Sequence, residues 1–223
     1  MIKHWIFDLD GTLLDTAPDL ARAIQDTLLA FHLPSVTLEE TKTFIGGGAR
    51  QFVKAALKGK GEDPVFFEEF YAAYMIRYEA YQLANARIYP GIQEVLRYIQ
   101  KHRLNAYVFS NKPHSLTVQL IHHVFPYIFK GVHGHIPGTL PKPDRTMFDA
   151  FARLHQLNLK EAVMIGDAPP DILFAKQLGI PCLALSYGYS DLHALKEHHP
   201  TMILNNAKEI IPAIQQLEIQ LKG

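Results

Sequence analysis

The sequence predicts an α/β protein built on a doubly wound parallel sheet, with a small all-helical segment inserted after the first strand. Two observations support this. Short apolar runs alternate with longer segments whose apolar residues recur at helical spacing. Strands that alternate with helices usually pair in parallel, through right-handed crossovers. The alternation is interrupted between residues 16 and 85, where only helical patterns occur.

Five apolar runs are the strand candidates, because each is too short for a helix and most are followed by Gly, Asn or Asp. They cover residues 5–7, 105–109, 162–165, 182–185 and 202–204. The first run leads into the segment 8–12, Asp-Leu-Asp-Gly-Thr. This arrangement is typical of a buried strand that ends in a tight turn bearing carboxylates.

Amphipathic patterns between these runs predict the helices of the core. Their apolar residues are Val95, Leu96 and Ile99; Leu116, Leu120, Ile121 and Val124; Phe148, Phe151 and Ala152; Ile172, Phe174, Ala175 and Leu178; and Ile210, Ile214, Leu217 and Leu221. Gly179 predicts the end of the fourth helix, since glycine adopts the left-handed conformation found there. Pro212 lacks an amide hydrogen, so the last helix should kink or begin late.

Residues 16–85 form the predicted helical cap, and residues 1–15 and 86–223 form the predicted α/β core. The cap has one amphipathic pattern over 20–31, a second over 52–57, and an aromatic-rich one over 66–83. We interpret the aromatic row as packing inside the cap rather than as a platform for nucleotide stacking.

Composition argues against several classes of function. The 223 residues include 22 basic and 22 acidic side chains, so nucleic-acid binding has little electrostatic support. No apolar stretch approaches the ~20 residues of a membrane span, and no signal-peptide pattern occurs. The one cysteine, Cys182, has no intrachain partner, which favours a reducing compartment. We expect a soluble, cytoplasmic monomer or homodimer that binds neither nucleic acid nor membrane.

Four polar clusters lie at or just past predicted strand ends. They are Asp8 with Asp10; Ser110 with Asn111 and Lys112; Lys142 with Pro143; and Asp167 with Asp171. In an open parallel sheet the ligand crevice lies outside the carboxyl ends of the strands, so three clusters should converge. Lys142 needs a further assumption to reach them. Each cluster alone is typical of a turn, a helix cap or a solvated surface; together they indicate catalysis.

The residues 8–12, with Ser110, Lys142 and the pair Asp167 and Asp171, resemble the four motifs of the haloacid dehalogenase-type phosphohydrolases. The resemblance runs from residue 7 to about residue 185. A helical insert after the first motif resembles the subfamily that carries a cap at this place. Two further segments, residues 15–20 and 110–113, are similar to the phosphoglycolate phosphatase branch.

These residues suit phosphoryl transfer, which needs positioning and charge neutralisation. Asp8 can act as the nucleophile and form an aspartyl-phosphate. Asp10 can protonate the leaving oxygen and then deprotonate water. Because four carboxylates in one crevice repel each other and the phosphate, the arrangement requires cations, and Mg²⁺ suits such oxygen ligands.

The resemblance implies particular roles for the other site residues. It assigns the metal to Asp8, Asp167 and the backbone carbonyl of Asp10, with Asp171 holding Lys142 or a metal-bound water. It assigns the phosphoryl oxygens to Lys142, the Ser110 hydroxyl and the Asn111 N–H, and places Gly11 and Thr12 at the phosphate. This sequence departs from the family pattern at residues 168–170, Ala-Pro-Pro, where Ser or Thr often follows Gly-Asp. It also departs at 142–145, Lys-Pro-Asp-Arg, where Lys-Pro-x-Pro is frequent.

The glycine-rich segment 46–50 of the cap is a candidate for substrate recognition. Gly47 and Gly48 permit close backbone approach and present N–H groups at a helix start, which suits an anion. Arg50 carries a planar guanidinium group that can bind a carboxylate, such as that of phosphoglycolate, through two parallel hydrogen bonds. A flexible loop followed by a solvated arginine is an equally good interpretation.

The leading functional hypothesis is a Mg²⁺-dependent phosphatase that hydrolyses a small phosphorylated metabolite similar to phosphoglycolate. A phosphomutase similar to β-phosphoglucomutase is an alternative, in which the cap excludes water and the aspartyl-phosphate donates to a sugar. A non-catalytic module that binds a phosphorylated metabolite is the third, although no catalytic position is substituted.

Overall fold

The structure, a computed structural model, describes residues 1–220 and contains a six-stranded parallel sheet. The strands are β1 (His4–Phe7), β2 (Leu14–Asp15), β3 (Arg87–Ile88), β4 (Asn105–Pro113), β5 (Gly131–His135), β6 (Ala162–Gly166), β7 (Cys182–Leu185) and β8 (Met202–Leu204). The large sheet has the order β5-β4-β1-β6-β7-β8, and every pair in it is parallel. The predicted doubly wound α/β class is confirmed.

Ten helices accompany these strands within residues 1–220. They are α1 (Ala17–Ala30), α2 (Leu38–Thr43), α3 (Ala49–Ala56), α4 (Pro64–Tyr81), α5 (Ile92–Lys101), α6 (His114–Val124), α7 (Thr146–Leu154), α8 (Pro169–Leu178), α9 (Leu192–Glu197) and α10 (Ile210–Gln220).

Side chains of β1 alternate between two apolar cores, because successive residues of a strand point to opposite faces. Trp5 and Phe7 pack with α5, α6 and α10, whereas Ile6 packs with α7 and α8.

The five predicted strands are confirmed as β1, β4, β6, β7 and β8. The sequence does not predict β5, because its residues Gly-Val-His-Gly-His form no apolar run. It lies at the edge of the sheet, where such a composition is tolerated. The short helices α2 and α9 were also missed, since six residues carry too little periodicity.

Two predicted helix ends can be compared with the structure. Gly179 follows α8 with a φ of 67°, as the left-handed helix terminus requires. Pro212 lies in the first turn of α10, just after a 3₁₀ turn at Ala207–Glu209, where its missing N–H has no partner in the helix. The helix therefore begins late rather than kinking. Leu221, predicted as its last apolar residue, lies outside the described residues.

The helices α1 to α4 all fall between the short strands β2 and β3, which pair antiparallel. A buried aromatic row of Phe67, Phe70, Tyr74 and Tyr78 lines the inner face of α4. It belongs to the apolar cluster that α1, α3 and α4 share. The predicted boundaries of the cap at residues 16 and 85 remain a prediction. Among residues 1–220, no helix is long and apolar enough to cross a membrane.

Candidate active site

Three adjacent strands bring the first group of polar residues together. β1 lies between β4 and β6, and neighbouring strands are about 4.8 Å apart. Asp8 follows β1, Ser110 lies near the end of β4, and Asp167 follows β6. The Asp8 N–H donates to the Ile165 carbonyl at 2.9 Å, which continues the sheet by one residue. All three side chains are buried at the carboxyl edge of the sheet.

Lys142 reaches this edge from the loop that follows β5. Its Nζ donates to Asp8 Oδ1 at 2.9 Å, Asp171 Oδ1 at 2.7 Å and the Phe109 carbonyl at 2.8 Å. The three ammonium hydrogens therefore all have acceptors. Burial lowers the pKa of Lys142, but the charges of Asp171 and Asp8 outweigh this effect and hold the pKa above its ordinary value.

The side chain of Asn111 holds the Lys142 loop in place. Its Oδ1 accepts from the Lys142 backbone N–H at 2.6 Å, and its Nδ2 donates to the Lys142 carbonyl at 3.3 Å. The same Nδ2 donates to the Gly46 carbonyl of the cap at 2.9 Å. The sequence implies a role only for the backbone N–H of Asn111, because an asparagine side chain gives no local sign of the distant loop that it binds.

One carboxylate oxygen each from Asp8, Asp167 and Asp171 lies within 4.8 Å of the others. Asp171 is already engaged, since Oδ1 accepts from Lys142 and Oδ2 accepts from the Ala168 N–H at 3.1 Å. Burial raises the pKa of Asp171 to about 6, although Lys142 opposes this. Asp171 is thus paired with a protein cation, whereas Asp167 accepts only from neutral donors, so Asp167 and the neighbouring Asp8 are the carboxylates better placed for a metal cation.

Asp167 is placed in a position that disfavours its negative charge. Burial, followed by the charges of Asp8 and Asp171, raises its pKa well above the ordinary value. Its oxygens accept from Thr12 Oγ1 at 2.7 Å and from the Tyr189 N–H at 2.9 Å, which oppose the rise only in part. A cation beside Asp167 would oppose this rise, because it stabilises the charged carboxylate. The all-oxygen donor set fits Mg²⁺.

Gly11 is fixed by its backbone conformation and by its neighbour. Its φ of 84° is rarely adopted by other residues, and a Cβ at this position would collide with the carboxylate of Asp167. We expect Gly11→Ala to lower the free energy of unfolding by about 2–5 kcal/mol, from backbone strain plus overpacking. It should also reduce turnover, because Asp167 is displaced.

Gly138 provides the matched control for this prediction. Its φ is also 84°, but a Cβ there would meet no atom within 4 Å among the described residues. Gly138→Ala should therefore cost only the strain, about 1–2 kcal/mol, and leave turnover unchanged. Urea unfolding and phosphate release measure both variants. Equal losses of stability would contradict a collision at Gly11.

Asp10 is held by two donors. Its Oδ1 accepts from Thr16 Oγ1 at 2.7 Å and from Lys112 Nζ at 3.4 Å. Lys112 is buried, and burial lowers its pKa despite the opposing charge of Asp10. The sequence motif that contains Lys112 assigns no role to this residue. Its place two residues after Ser110 on β4 was the signal that pointed towards the site.

A small cavity of about 40 Å³ adjoins Asp8, Asp10 and Ser110. Its wall is completed by Asn111, Lys112 and Pro113 of the core, and by Leu20, Ile45, Gly46, Gly48, Ala49, Phe52, Tyr74 and Tyr78 of the cap. The cavity therefore lies between the cap and the carboxyl edge of the sheet. Concave, mostly apolar spaces of this kind with a few convergent polar groups are typical of ligand sites.

The other candidate residues of the cap lie elsewhere. Gly47 and Arg50 line a larger outer groove rather than the cavity beside Asp8. The guanidinium of Arg50 forms an ion pair with Glu68 and stacks over the rings of Phe67 and Tyr71, 4.9 Å from each centroid. The structure brings Gly48 to the cavity but does not bring Arg50 there.

Tyr189 is a second residue near the site that the sequence analysis missed. Its hydroxyl accepts from the Thr16 and Ala17 N–H groups at 2.7 and 3.0 Å and donates to Asp15 Oδ1 at 2.8 Å. Because its own N–H binds Asp167, Tyr189 links that carboxylate to the start of α1. No sequence motif marks this residue.

The departure at residues 168–170 is accommodated without loss of the carboxylates. Pro169 is the first residue of α8, where proline is favoured because that N–H has no partner within the helix. The Ala168 N–H donates to Asp171, as noted above, so the loop is fixed by its backbone.

Known proteins are similar to this chain over most of its length. A sequence model of the haloacid dehalogenase-like hydrolase family matches residues 5–185. Phosphoglycolate phosphatase 1 of Pseudomonas aeruginosa is 33% identical over 221 residues, covering 95% of this chain and 79% of that protein. A phosphoglycolate phosphatase of Pseudomonas savastanoi pv. phaseolicola is 29% identical over 224 residues, covering 98% and 82%.

Solved structures share the whole fold. A haloacid dehalogenase-like hydrolase of Streptococcus pneumoniae matches with a TM-score of 0.84 at 24% identity, covering 96% of this chain and 98% of that one. The chain belongs to the haloacid dehalogenase-like hydrolase family, and the resemblance seen in its motifs is confirmed. Within the family it is a phosphatase, a phosphoric monoester hydrolase.

Proposed function

We propose that this phosphatase hydrolyses a small phosphomonoester similar to phosphoglycolate, with Mg²⁺ and through an aspartyl-phosphate on Asp8. The observation that supports this most directly is the meeting of Asp8, Asp167 and the Asp171–Lys142 pair at one edge of the sheet. The substrate class is suggested by the two curated relatives, both named phosphoglycolate phosphatases.

In the first step, an oxygen of Asp8 attacks phosphorus and the bond to the ester oxygen breaks. Asp10 gives its proton to the leaving oxygen, so that the product is an alcohol. Lys142 lies 2.9 Å from Asp8 and offers positive charge to the phosphoryl oxygens, with the Ser110 hydroxyl and the Asn111 N–H as further donors.

In the second step, Asp10 takes a proton from water, the water oxygen bonds to phosphorus, and the bond to Asp8 breaks. Phosphate leaves and both carboxylates return to their starting state. Asp8, Asp167 and the backbone carbonyl of Asp10 would hold Mg²⁺, which supplies charge neutralisation for the nucleophile and the phosphoryl group. Thr16 and Lys112 orient Asp10 through their hydrogen bonds.

Removing the metal should abolish phosphate release. We expect excess EDTA to abolish activity and added Mg²⁺ to restore it. Ca²⁺ should inhibit the enzyme, because calcium prefers more ligands and a looser geometry. The amount of phosphate released from phosphoglycolate measures the loss and the recovery of activity. Release of free phosphate also distinguishes hydrolysis from transfer of the phosphoryl group to a sugar. Full activity in excess chelator would contradict the proposal.

Metal binding has a second readout that does not depend on turnover. Mg²⁺ should raise the melting temperature of the protein, since a ligand of the native state stabilises it. The rise should be much smaller in Asp167→Asn. The control is Asp63→Asn, which changes the N-cap of α4, where Asn and Asp cap almost equally well. An equal rise in both variants would exclude Asp167 as a metal ligand.

A further inference from the structure

Lys112 is a buried cation that the proposed reaction uses only to orient Asp10. Its side chain is 1% exposed, and its Nζ donates to Asp10 Oδ1 and to the Tyr78 hydroxyl. An ammonium group has three hydrogens. Within the described residues two of them are engaged, and Lys112 lines the cavity beside Asp8. Lys142, in contrast, has acceptors for all three of its hydrogens.

Tyr74 adds a second unused donor to the same cavity. The residue is fully buried and lines the cavity, and its hydroxyl has no hydrogen-bond partner within residues 1–220. A buried hydroxyl without a partner costs free energy, so such groups call for an explanation. The Tyr78 hydroxyl accepts from Lys112, which leaves its own hydrogen free to be donated.

We propose that Lys112, Tyr74 and Tyr78 bind the carboxylate of a short phosphomonoester whose phosphate lies at Asp8. All three groups have hydrogens to donate, and an anion accepts from all of them. The proposal rests on the proposed function and deepens it, because it explains how the part of the substrate beyond the phosphate is recognised.

The distances limit the length of the substrate. Lys112 Nζ lies 3.4 Å from Asp10 Oδ1, and Asp10 is the residue that protonates the ester oxygen. The second anionic group must therefore lie close to that oxygen, as the carboxymethyl group of phosphoglycolate does. The cavity of about 40 Å³ has room for a few atoms, given that one water needs ~10–15 Å³.

The remaining wall of the cavity strengthens this recognition. Leu20, Ile45 and Phe52 are apolar side chains of the cap that line the cavity, so they would limit the contact of a bound carboxylate with water. Charge-assisted hydrogen bonds are stronger where the local dielectric constant is low. Arg50 is engaged by Glu68 outside this cavity, so the structure assigns the carboxylate to Lys112 rather than to Arg50.

The test compares phosphoglycolate with ethyl phosphate, which has the same number of carbons but no carboxylate. The measured quantity is the ratio of the two kcat/KM values. Tyr74→Phe should lower this ratio about three- to tenfold, and Lys112→Met about ten- to a hundredfold, as expected for neutral and charged hydrogen bonds. Because Lys112 also contacts Asp10, its loss can slow the hydrolysis of both substrates. Only the loss of the carboxylate contact changes the ratio of the two kcat/KM values.

Tyr81→Phe is the matched control. It removes a hydroxyl from the same helix, α4, but that hydroxyl donates to Asp26 at 3.0 Å and lies outside the cavity lining. Its ratio should equal that of the wild type. Tyr74→Phe removes an unpartnered hydroxyl, so it should fold normally even if Lys112→Met does not.

An unchanged ratio in Tyr74→Phe and in soluble Lys112→Met would overturn the assignment. A fall in Arg50→Ala alone would overturn it as well, and would transfer carboxylate recognition to the outer groove. If the wild type releases phosphate from neither ester, the proposed function itself fails. Calorimetric titration of phosphoglycolate then decides: weaker binding by Tyr74→Phe supports the subsite, and equal affinity overturns it.

Discussion

Replacing Asp8 by Asn is expected to reduce phosphate release by at least about 1,000-fold while the protein stays folded. An amide is not a nucleophile towards phosphorus, so no aspartyl-phosphate forms. The metal-free variant should be as stable as the wild type or more stable. Asn relieves the repulsion among the three clustered carboxylates, and Lys142 keeps its bonds to Asp171 and the Phe109 carbonyl.

Turnover and thermal melting in EDTA measure these two effects. The control is Asp63→Asn, the same chemical change at an exposed helix cap, which should leave both turnover and stability close to the wild type. Wild-type turnover by Asp8→Asn, with its usual need for Mg²⁺, would show that another residue is the nucleophile.

Replacing Lys142 by Met should damage both activity and folding. The buried carboxylates of Asp8 and Asp171 lose their shared cation, and a buried charge without a partner costs about 3–5 kcal/mol of unfolding free energy. Phosphate release should fall by about 100–1,000-fold, because one source of charge stabilisation at the phosphoryl group is lost. Urea unfolding of the metal-free protein and steady-state kinetics measure the two losses.

Lys3→Met is the matched control for this prediction. Lys3 pairs with Glu161 at 2.7 Å, but its side chain is 46% exposed, so solvent screens the pair and losing it should hardly change the free energy of unfolding. Adding Asp171→Asn to Lys142→Met should restore part of the stability, because one unpaired charge is removed, without restoring activity. Equal unfolding free energies for the two Lys→Met variants would refute the role of Lys142 as the shared cation.

Strands could be predicted from the sequence where their residues form an apolar run. β1, β4, β6 and β7 lie inside the sheet and are largely buried, so their apolar runs were visible in the sequence. β8 lies at one edge and is only partly buried, but its residues Met-Ile-Leu still form an apolar run. β5 lies at the other edge and contains two glycines and two histidines, so its sequence does not predict a strand. Its hydrogen bonds to β4 make this segment a strand. The same holds for β2 and β3, two residues each, whose pairing depends on chain segments over 70 residues apart.

In the site, the sequence by itself determined which residue types lie at the carboxyl edge of the sheet. Asp8, Ser110 and Asp167 follow directly from strand order, because parallel neighbours end at the same edge. Only the tertiary structure decided that Lys142 reaches Asp8, since the position of its loop depends on the distant side chain of Asn111. A long loop has many conformations of similar energy, and contacts made elsewhere in the fold select one of them.

Tertiary structure also decided which residues of the cap face the reaction. Arg50 and Tyr74 both lie on helices of the cap, and local spacing gives no reason to prefer either as a substrate contact. The tertiary packing places Tyr74 on the wall of the cavity that Lys112 also lines, whereas Arg50 pairs with Glu68 and lines the outer groove. The orientation of one domain on another depends on the sum of many contacts between residues far apart in the chain, so no local pattern encodes it.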